Sequence, residues 1–131
     1  MSENKRIILD FIDAWNRLDY DAIYAAMTDD IYYHNIPMEP VVGKTSASAM
    51  IRAFMANFAA CEWTTHNIAA TCNIVLTERT DRFTHFDGKV AAIRVMGVFE
   101  LSDAGKITHW RDYFDSAEMA REFGTSVAGG G

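Results

Sequence analysis

The sequence predicts an α+β domain built on a curved, mixed but mainly antiparallel sheet, with N-terminal helices packed on its concave face. Apolar residues in the N-terminal part of the chain recur at intervals of three and four, which is the spacing of amphipathic helices. The second half instead holds long segments rich in Val, Ile, Thr and aromatic residues, joined by short turns. Strands with such short links pair antiparallel, and a curved sheet covered by helices can enclose a pocket. At 131 residues, half of them hydrophobic, the chain is expected to form a single domain, residues 1–131.

Three helices are expected in the first half of the chain and one near its end. Asp19 or Asp21 can cap a second, short helix that ends at 28–30. Ser46 can cap a third helix, and Ser116 begins a closing helical turn. The apolar stripe of the first helix consists of Ile7, Ile8, Phe11, Ile12, Trp15 and Leu18. The stripe of the second consists of Ala22, Ile23, Ala26 and Met27, and that of the third consists of Met50, Ile51, Phe54, Met55 and Phe58.

Five strands are expected. The first spans 31–36 and is followed by an irregular loop at 37–43, which Pro37 and Pro40 enforce. The other four span 63–73, 73–84, 89–101 and 106–114, and turn signals separate the last three. The glycine-rich end, about 125–131, is expected to be disordered.

Charge and cysteine content limit the partners and the compartment. The formal net charge of -6 and the scattered basic residues argue against nucleic acid or an anionic membrane as a partner, so a neutral or small polar ligand fits better. Cys61 and Cys72 are too few for a disulfide framework and are expected to be free thiols in a reducing cytoplasm. Asp10 and Asp13 interrupt the apolar residues of 1–15, so neither a signal peptide nor a membrane span is expected and the predicted location is cytoplasmic.

Three pairs of residues with polar side chains stand two positions apart in predicted strands. They are Tyr33 with Asn35, Arg79 with Asp81, and Trp110 with Asp112. Side chains two apart in a strand share a face, so inward-facing pairs would place two carboxylates, a guanidinium, a phenol and an amide in one apolar chamber. A buried charge without a partner costs roughly several kcal/mol. Such a cluster therefore indicates an acid-base site.

Each pair also has a purely structural alternative. Arg79 and Asp81 can form an ordinary ion pair on a solvent-exposed face, and the residue alternation along their strand does not orient it. Asp112 can cap a turn or pair with Arg111, although its face also carries two large aromatic residues, which favours an inward position. The phenol and the amide can equally belong to a core tyrosine and a turn residue.

Other candidate ligands do not form a known motif. The histidines show no ligand spacing with carboxylates or thiols, so no metal site is expected at His34, His66, His85 or His109. The chain has no Gly-x-Ser-x-Gly elbow and no Gly-rich phosphate loop, so neither a serine hydrolase nor a nucleotide-binding protein is expected. Flexible core or pocket-lining filler is expected at Met27, Met38, Met50, Met55 and Met96.

Four segments carry a resemblance to a known family. They are 33–37 (Tyr-His-Asn-Ile-Pro), 77–81 (Thr-Glu-Arg-Thr-Asp), 97–99 (Gly-Val-Phe) and 110–115 (Trp-Arg-Asp-Tyr-Phe-Asp). In this order, over about residues 10–123, they resemble the motifs of the limonene-1,2-epoxide hydrolase family. That family belongs to the superfamily of nuclear transport factor two, also called SnoaL-like, so the resemblance implies a cone-shaped α+β barrel. It also implies single-step hydrolysis of an epoxide to a vicinal diol, without metal, organic cofactor or covalent enzyme ester.

The resemblance implies a role for each polar residue. Asp112 would be the general base on water, Asp81 the general acid on the epoxide oxygen, and Arg79 the bridge between them. Tyr33 and Asn35 would hold the water. Two carboxyls in one pocket tend to share a single proton, which epoxide opening needs, and the residues leave open which of the two carries it.

The expected ligands are water and a small, mostly apolar epoxide, cyclic or terpenoid-like. The residues expected to bind this substrate are Phe83, Ile93, Val95, Trp110 and Phe114. By analogy with the superfamily, a homodimer is expected through an outer sheet face that includes Arg94, His109 and Tyr113. Two alternatives remain: a ketosteroid-isomerase-like or polyketide-cyclase-like enzyme of the same fold, and a non-catalytic ligand-binding or assembly module.

Overall fold

The computed structural model describes residues 2–124, which form helices and a six-stranded sheet. In chain order the elements are α1 (Glu3–Asn16), α2 (Tyr20–Ala25), β1 (Met27–Asn35), β2 (Val41–Val42), α3 (Lys44–Met55), β3 (Phe58–Thr71), β4 (Ile74–His85), β5 (Val90–Leu101), β6 (Ile107–Tyr113) and α4 (Ser116–Phe123). The sheet is curved and does not close on itself. The predicted α+β class is confirmed.

Across the sheet the strands follow the order β2-β1-β6-β5-β4-β3. All neighbouring strands are antiparallel except β1 and β6, which run parallel. The sheet is therefore mixed but mainly antiparallel, as predicted. Because the parallel pair joins the first strand to the last, residues far apart in sequence share one region of the sheet.

The first helix packs on the concave face of the sheet through its aromatic residues. The ring of Phe11 meets Phe99 and Trp110 edge-on, with centroid distances of 5.9 Å and 5.1 Å. The ring of Trp15 stacks on Trp63 at 4.4 Å. These contacts bury the apolar stripe predicted for α1, and the buried apolar residues form one cluster between helices and sheet.

The concave packing also orients β4, which residue alternation alone did not orient. Along this strand every second residue is buried, namely Val75, Thr77, Arg79, Asp81 and Phe83. Of the residues between them, Leu76, Glu78 and Arg82 are exposed and Thr80 is half-buried. Polar residues occur on both faces of the strand, so its sequence does not determine which face is buried. The elements that pack on the concave side of the sheet determine it.

The strand β1 begins earlier than predicted. Residues 28–30, expected to separate helix from strand, lie within β1, and Met27, predicted on the second helix, is its first residue. Pairing with β6 explains the difference: the Ile107 N–H donates to the carbonyl oxygen of Ala26 at 2.8 Å, and Met27 is paired with Ile107. A register shift between Met27 and Tyr32 accommodates the exposed aspartates.

Three other boundaries differ from the predictions. The helix α3 begins at Lys44 rather than near Ser46, after Gly43, whose φ of 97° favours glycine. Phe58, predicted on the third helix, is the first residue of β3, where it pairs with His85. The predicted irregular loop contains the short strand β2, which pairs with β1. Hydrogen bonds to neighbouring strands set these boundaries. A local residue pattern gives no information about such hydrogen bonds.

Three further predictions concern the C-terminal tail, membrane-spanning helices and Met96. The tail at about 125–131, predicted to be disordered, lies outside the described part of the chain. Within residues 2–124, no helix combines the length and the apolar character needed to cross a membrane. Met96 is not part of the core, because it is 47% exposed on the outer sheet face. There it lines a groove together with Arg94, Tyr113 and Glu118, so the pocket-lining alternative of its prediction agrees with the structure.

Candidate active site

The polar residues predicted as a site lie on three strands close to one another. The strand β4 carries Arg79 and Asp81, β6 carries Asp112, and β1 carries Tyr33 and Asn35. Because β1 is parallel to β6, Asn35 lies beside Asp112. Asn35 is half-buried and the other four are buried. All five face the interior of the curved sheet, rather than the solvent-exposed outer face.

Arg79 must pass over β5 to reach Asp112. Neighbouring strands lie about 4.8 Å apart, so β4 and β6 are about 10 Å apart with β5 between them. Gly97 occupies this place on β5, paired with Thr77 on one side and with Asp112 on the other. A Cβ at Gly97 would collide with Arg79 Nη1 and would lie 2.8 Å from Asp112 Oδ1. The missing side chain is therefore the space that the guanidinium uses.

The guanidinium of Arg79 joins the two aspartates. Its Nε donates to Asp81 Oδ1 at 3.0 Å, and its Nη2 donates to Asp81 Oδ2 at 2.9 Å. The same Nη2 donates to Asp112 Oδ2 at 3.1 Å. On the other side, Nη1 donates to the Thr77 hydroxyl at 2.9 Å, and this hydroxyl can donate to the Gly97 carbonyl oxygen at 3.5 Å. The Arg79 side chain is 0% exposed, and these partners accept from four of its five N–H groups.

Aromatic rings cover the faces of the same guanidinium. The Cζ of Arg79 lies 4.7 Å from the ring centroid of Trp63 and 6.0 Å from that of Phe99. Such cation–π contacts contribute most where water is excluded. Hydrogen bonds therefore restrain the guanidinium within its plane, and the aromatic rings restrain it perpendicular to that plane.

Asp112 is held by a second donor. The indole Nε1 of Trp110 donates to Asp112 Oδ1 at 2.9 Å, so each carboxylate oxygen of Asp112 accepts a hydrogen bond. The indole in turn stacks on the ring of Tyr33, with 4.2 Å between centroids. Trp110 is 0% exposed and is not part of the cavity wall, which differs from the prediction that it binds substrate. The Trp110 indole therefore orients the Asp112 carboxylate from the side away from the cavity.

The polar cluster opens into an apolar cavity between the sheet, α1, α3 and α4. Its volume is about 70 Å³, which is room for a few water molecules or a small ligand since one water needs roughly 10–15 Å³. Its polar lining consists of Tyr33, Asn35, Asp81 and Asp112. Its apolar lining consists of Trp15, Met38, Met50, Ile51, Phe54, Trp63, Phe83, Ile93, Val95, Phe114, Met119 and Phe123. Within residues 2–124, no three His, Cys, Asp or Glu side chains are grouped as metal ligands.

Four of the five residues predicted to bind substrate lie on this wall. They are Phe83, Ile93, Val95 and Phe114. The residues that sequence reasoning missed come mainly from the helices, with Trp15 from α1, Phe54 from α3, and Met119 and Phe123 from α4. Their helical spacing marked most of them as buried. A buried position in a solid core and one beside a cavity have the same local pattern, so no sequence signal separated them.

Burial sets the protonation of Asp81. Removal from water raises the pKa of this carboxyl, the Arg79 guanidinium counteracts the rise, and the nearby Asp112 adds to it. The result is a pKa of about 6, well above the ordinary value for aspartate. A fraction of Asp81 therefore keeps its proton near neutral pH.

Arg79 and Tyr33, which neighbour the two carboxyls, both keep their protons. Burial opposes the charge of Arg79, but Asp112 and Asp81 outweigh it and raise the pKa of the guanidinium. Burial, together with Asp112, raises the pKa of the Tyr33 phenol. Arg79 thus remains a cation and Tyr33 remains a hydrogen-bond donor over the range in which Asp81 titrates.

A methyl group at Gly97 is expected to disrupt this arrangement. In Gly97→Ala the added Cβ competes for the space of Arg79 Nη1 and Asp112 Oδ1. We expect the free energy of unfolding to fall by about 3 kcal/mol, because a buried ion pair is displaced and the core is overpacked. Urea unfolding measures this. The matched control is Val98→Ala on the other face of β5, for which about 1 kcal/mol or less is expected, and equal losses in the two variants would contradict the role given to Gly97.

The raised pKa of Asp81 predicts a pH dependence of stability. The folded protein holds this proton more tightly than the unfolded chain, so the stabilisation is complete below about pH 4 and is lost as the pH rises through about 6. Asp81→Asn removes the titration. We expect the unfolding free energy of the wild type, minus that of Asp81→Asn, to fall by on the order of 3 kcal/mol between pH 4 and pH 7. Chemical unfolding at several pH values tests this, and a difference that stays flat or grows with pH would refute it.

Comparison with known proteins gives the family. The model of the limonene-1,2-epoxide hydrolase catalytic domain matches residues 2–124. Epoxide hydrolase EphG of Mycobacterium tuberculosis is 36% identical over 113 residues, which cover 83% of this chain and 71% of that protein. A solved structure of an M. tuberculosis epoxide hydrolase described as similar to limonene-1,2-epoxide hydrolase is 35% identical, with a TM-score of 0.80 and coverage of 92% of this chain and 88% of that one.

The fold extends to more distant proteins. The structure of a putative SnoaL-like polyketide cyclase from Shewanella denitrificans has a TM-score of 0.83 at 15% identity, covering 93% of this chain and 97% of that one. At this identity the similarity concerns the fold alone. The match over residues 2–124 and the identity to a mycobacterial epoxide hydrolase agree with the resemblance carried by the polar motifs. The chain therefore belongs to the limonene-1,2-epoxide hydrolase family.

Proposed function

We propose that this protein adds water to a small, mostly apolar epoxide, cyclic or terpenoid-like, and releases a vicinal diol in one acid-base step. The observation that carries the proposal is the buried guanidinium of Arg79, which joins Asp81 and Asp112 at the polar end of an apolar cavity. Membership of an epoxide hydrolase family supports the reaction class. The apolar wall supports a substrate whose only polar group is the epoxide oxygen.

Asp81 acts as the general acid. Its pKa of about 6 leaves a useful fraction of the carboxyl protonated near neutral pH. A general acid is most effective when its pKa lies near the working pH. Asp81 gives its proton to the epoxide oxygen while the carbon–oxygen bond breaks, so that the bonding electron pair becomes part of a hydroxyl group rather than an alkoxide.

Asp112 acts as the general base on water. Hydrogen bonds from Trp110 and Arg79 fix its two oxygens. Tyr33 and Asn35 hold the water beside it, since both line the same polar end of the cavity. The water oxygen bonds to the epoxide carbon from the side opposite the breaking bond, and its proton passes to Asp112.

The step is balanced in atoms and charge. One water and one epoxide become one diol, Asp81 loses a proton and Asp112 gains one. Arg79 stays a cation throughout and faces a carboxylate pair of single negative charge before and after the step. Return of a proton from Asp112 to Asp81, or exchange with solvent, restores the starting state. No metal, organic cofactor or covalent enzyme ester takes part in the proposed step.

The two alternative functions, another enzyme of the same fold and a non-catalytic module, are less well supported. A ketosteroid-isomerase-like or polyketide-cyclase-like enzyme would use an aspartate to move a proton beside a carbonyl, with Tyr33 as a donor. A cation shared by two aspartates suits activation of water better, because one carboxyl must be protonated while the other is ionised. A non-catalytic module would have no need for the buried charges.

Substitution of the base tests the proposal. We expect Asp112→Asn to lower kcat about a thousandfold or more while the protein remains folded, because the amide cannot accept the proton from water. The control is Asp103→Asn, which changes an exposed aspartate in the turn after β5. Initial rates of diol formation over a panel of cyclic epoxides provide the measurement. Unchanged turnover in Asp112→Asn, or ligand binding without any turnover in the wild type, would exclude the mechanism.

Single turnover in heavy-oxygen water distinguishes direct attack from an ester intermediate. With enzyme in excess over epoxide, the label is expected in the first diol formed from each active site. An unlabelled first diol would mean that an aspartate oxygen had attacked the carbon.

We also propose a homodimer in a reducing cytoplasm. Tyr113 and Met96 are 44% and 47% exposed on the outer sheet face, where Arg94 and His109 are also exposed. Cys61 and Cys72 are both free, which suits a reducing compartment. Sedimentation velocity is expected to give the mass of two chains for the wild type and of one chain for Tyr113→Glu, with Phe86→Glu in the β4–β5 turn as the control. A wild-type monomer would contradict the dimer.

A further inference from the structure

The strand β5 extends beyond the strand that pairs with it. The pairing of β6 with β5 begins at Met96 and continues to Leu101. Over 90–95, β5 pairs with β4 on one side, and no described strand pairs with it on the other. In an antiparallel sheet alternate residues direct their N–H groups to opposite neighbours, so this segment presents unpaired donors at an open edge.

The helix α4 covers this edge with two carboxylates. The N–H of Arg94 donates to Glu118 Oε2 at 2.7 Å, and the N–H of Ala92 donates to Glu122 Oε1 at 3.0 Å. Residues four apart on a helix are separated by about 6 Å along its axis, and residues two apart on a strand by about 6.6 Å. The two spacings match, so consecutive turns of α4 replace a pairing strand.

The Arg94 side chain strengthens one of these contacts. Its Nη2 and Nε donate to Glu118 Oε1 at 2.7 Å and 3.0 Å. The Glu118 side chain is only 8% exposed although Arg94 is 82% exposed, so the carboxylate lies beneath the guanidinium. Hydrogen bonds from the Arg94 side chain and then from its backbone hold the pKa of Glu118 below its ordinary value.

The adjacent face of the same helix forms part of the cavity wall. Met119 and Phe123 follow Glu118 and Glu122 by one residue each, and both line the cavity. The ring of Phe123 lies 5.7 Å from that of Phe54 and 5.6 Å from that of Phe83, centroid to centroid. The position of these two side chains in the cavity thus depends on how α4 is attached to β5.

We propose that Glu118 and Glu122 are positioning residues for substrate specificity: by docking α4 on the β5 edge they fix Met119 and Phe123 as a wall that favours compact epoxides over bulky ones. This inference rests on the epoxide hydrolysis proposed above. The carboxylates of Glu118 and Glu122 accept the hydrogen bonds that hold α4 on the β5 edge, in addition to the packing of Phe123. Each hydrogen bond is of modest strength, so loss of these contacts can displace α4 without unfolding the sheet. A bulky epoxide then binds only to molecules with α4 displaced, and its apparent affinity is reduced by the fraction of such molecules.

Removal of the two carboxylates tests the specificity. In Glu118→Ala/Glu122→Ala we expect kcat/KM for cis-stilbene oxide, relative to that for cyclohexene oxide, to rise about five- to tenfold through a lower KM for the bulky compound. Glu118→Gln/Glu122→Gln should restore most of the wild-type ratio, because an amide oxygen still accepts the backbone N–H. The matched control is Glu100→Ala, which removes a half-buried glutamate that pairs with Arg111 at 2.6 Å without touching α4.

Access to the cavity gives a readout that does not depend on catalysis. Trp15 and Trp63 are buried and line the cavity. Acrylamide is expected to quench the tryptophan fluorescence more strongly in Glu118→Ala/Glu122→Ala than in the wild type or in Glu100→Ala. Arg94→Ala removes the guanidinium but keeps the backbone N–H, so an intermediate effect is expected. This variant and the glutamine pair still test the proposal if the alanine pair does not fold.

The outcomes separate this inference from the proposed function. Turnover of both epoxides with an unchanged ratio and unchanged quenching would overturn the role of Glu118 and Glu122 while leaving epoxide hydrolysis intact. Absence of turnover in every variant, wild type included, would overturn the proposed function instead, and the specificity role with it. A raised ratio with increased quenching, reversed by the glutamine pair, would support the inference.

Discussion

The buried guanidinium of Arg79 is the constraint on which the site depends. An arginine cannot lose its proton in a protein, so its charge must be balanced where it lies. Asp81 and Asp112 provide the balance, and Thr77 accepts a further hydrogen bond. Gly97 leaves the space that lets one side chain reach both carboxylates across β5. The order of three strands, rather than any single strand, therefore creates the cluster.

The two carboxylates differ because their surroundings differ. Asp81 accepts two hydrogen bonds from Arg79, yet its pKa rises to about 6 because removal from water has the larger effect. Asp112 accepts one hydrogen bond from Arg79 and another from Trp110. A pair of similar groups in unlike environments is the condition under which one can act as an acid while the other acts as a base. The proposed mechanism assigns the acid role to Asp81, whose pKa is raised.

The open sheet is the source of both the cavity and the need to cover its edge. Because the sheet does not close, β5 has a segment beyond β6 that a helix can approach. Glu118 and Glu122 satisfy the donors of this segment, and the same helix supplies Met119 and Phe123 to the cavity. In the two proposals made above, specificity and edge protection depend on one short element, whereas the proton-transfer groups lie on the strands.

The sequence by itself determined the elements and the identity of the polar residues. Periodicity located the helices and long strands, and positions two apart in a strand identified Arg79 with Asp81 as neighbours on one face. Tertiary structure alone decided that β4 turns this face inward, that Trp110 lies behind Asp112 rather than in the cavity wall, and that α4 docks on β5. Each of these depends on strand pairing, loss of water or side-chain contact between residues distant in the chain. A residue pattern records the local periodicity of a segment and contains no information about what covers it.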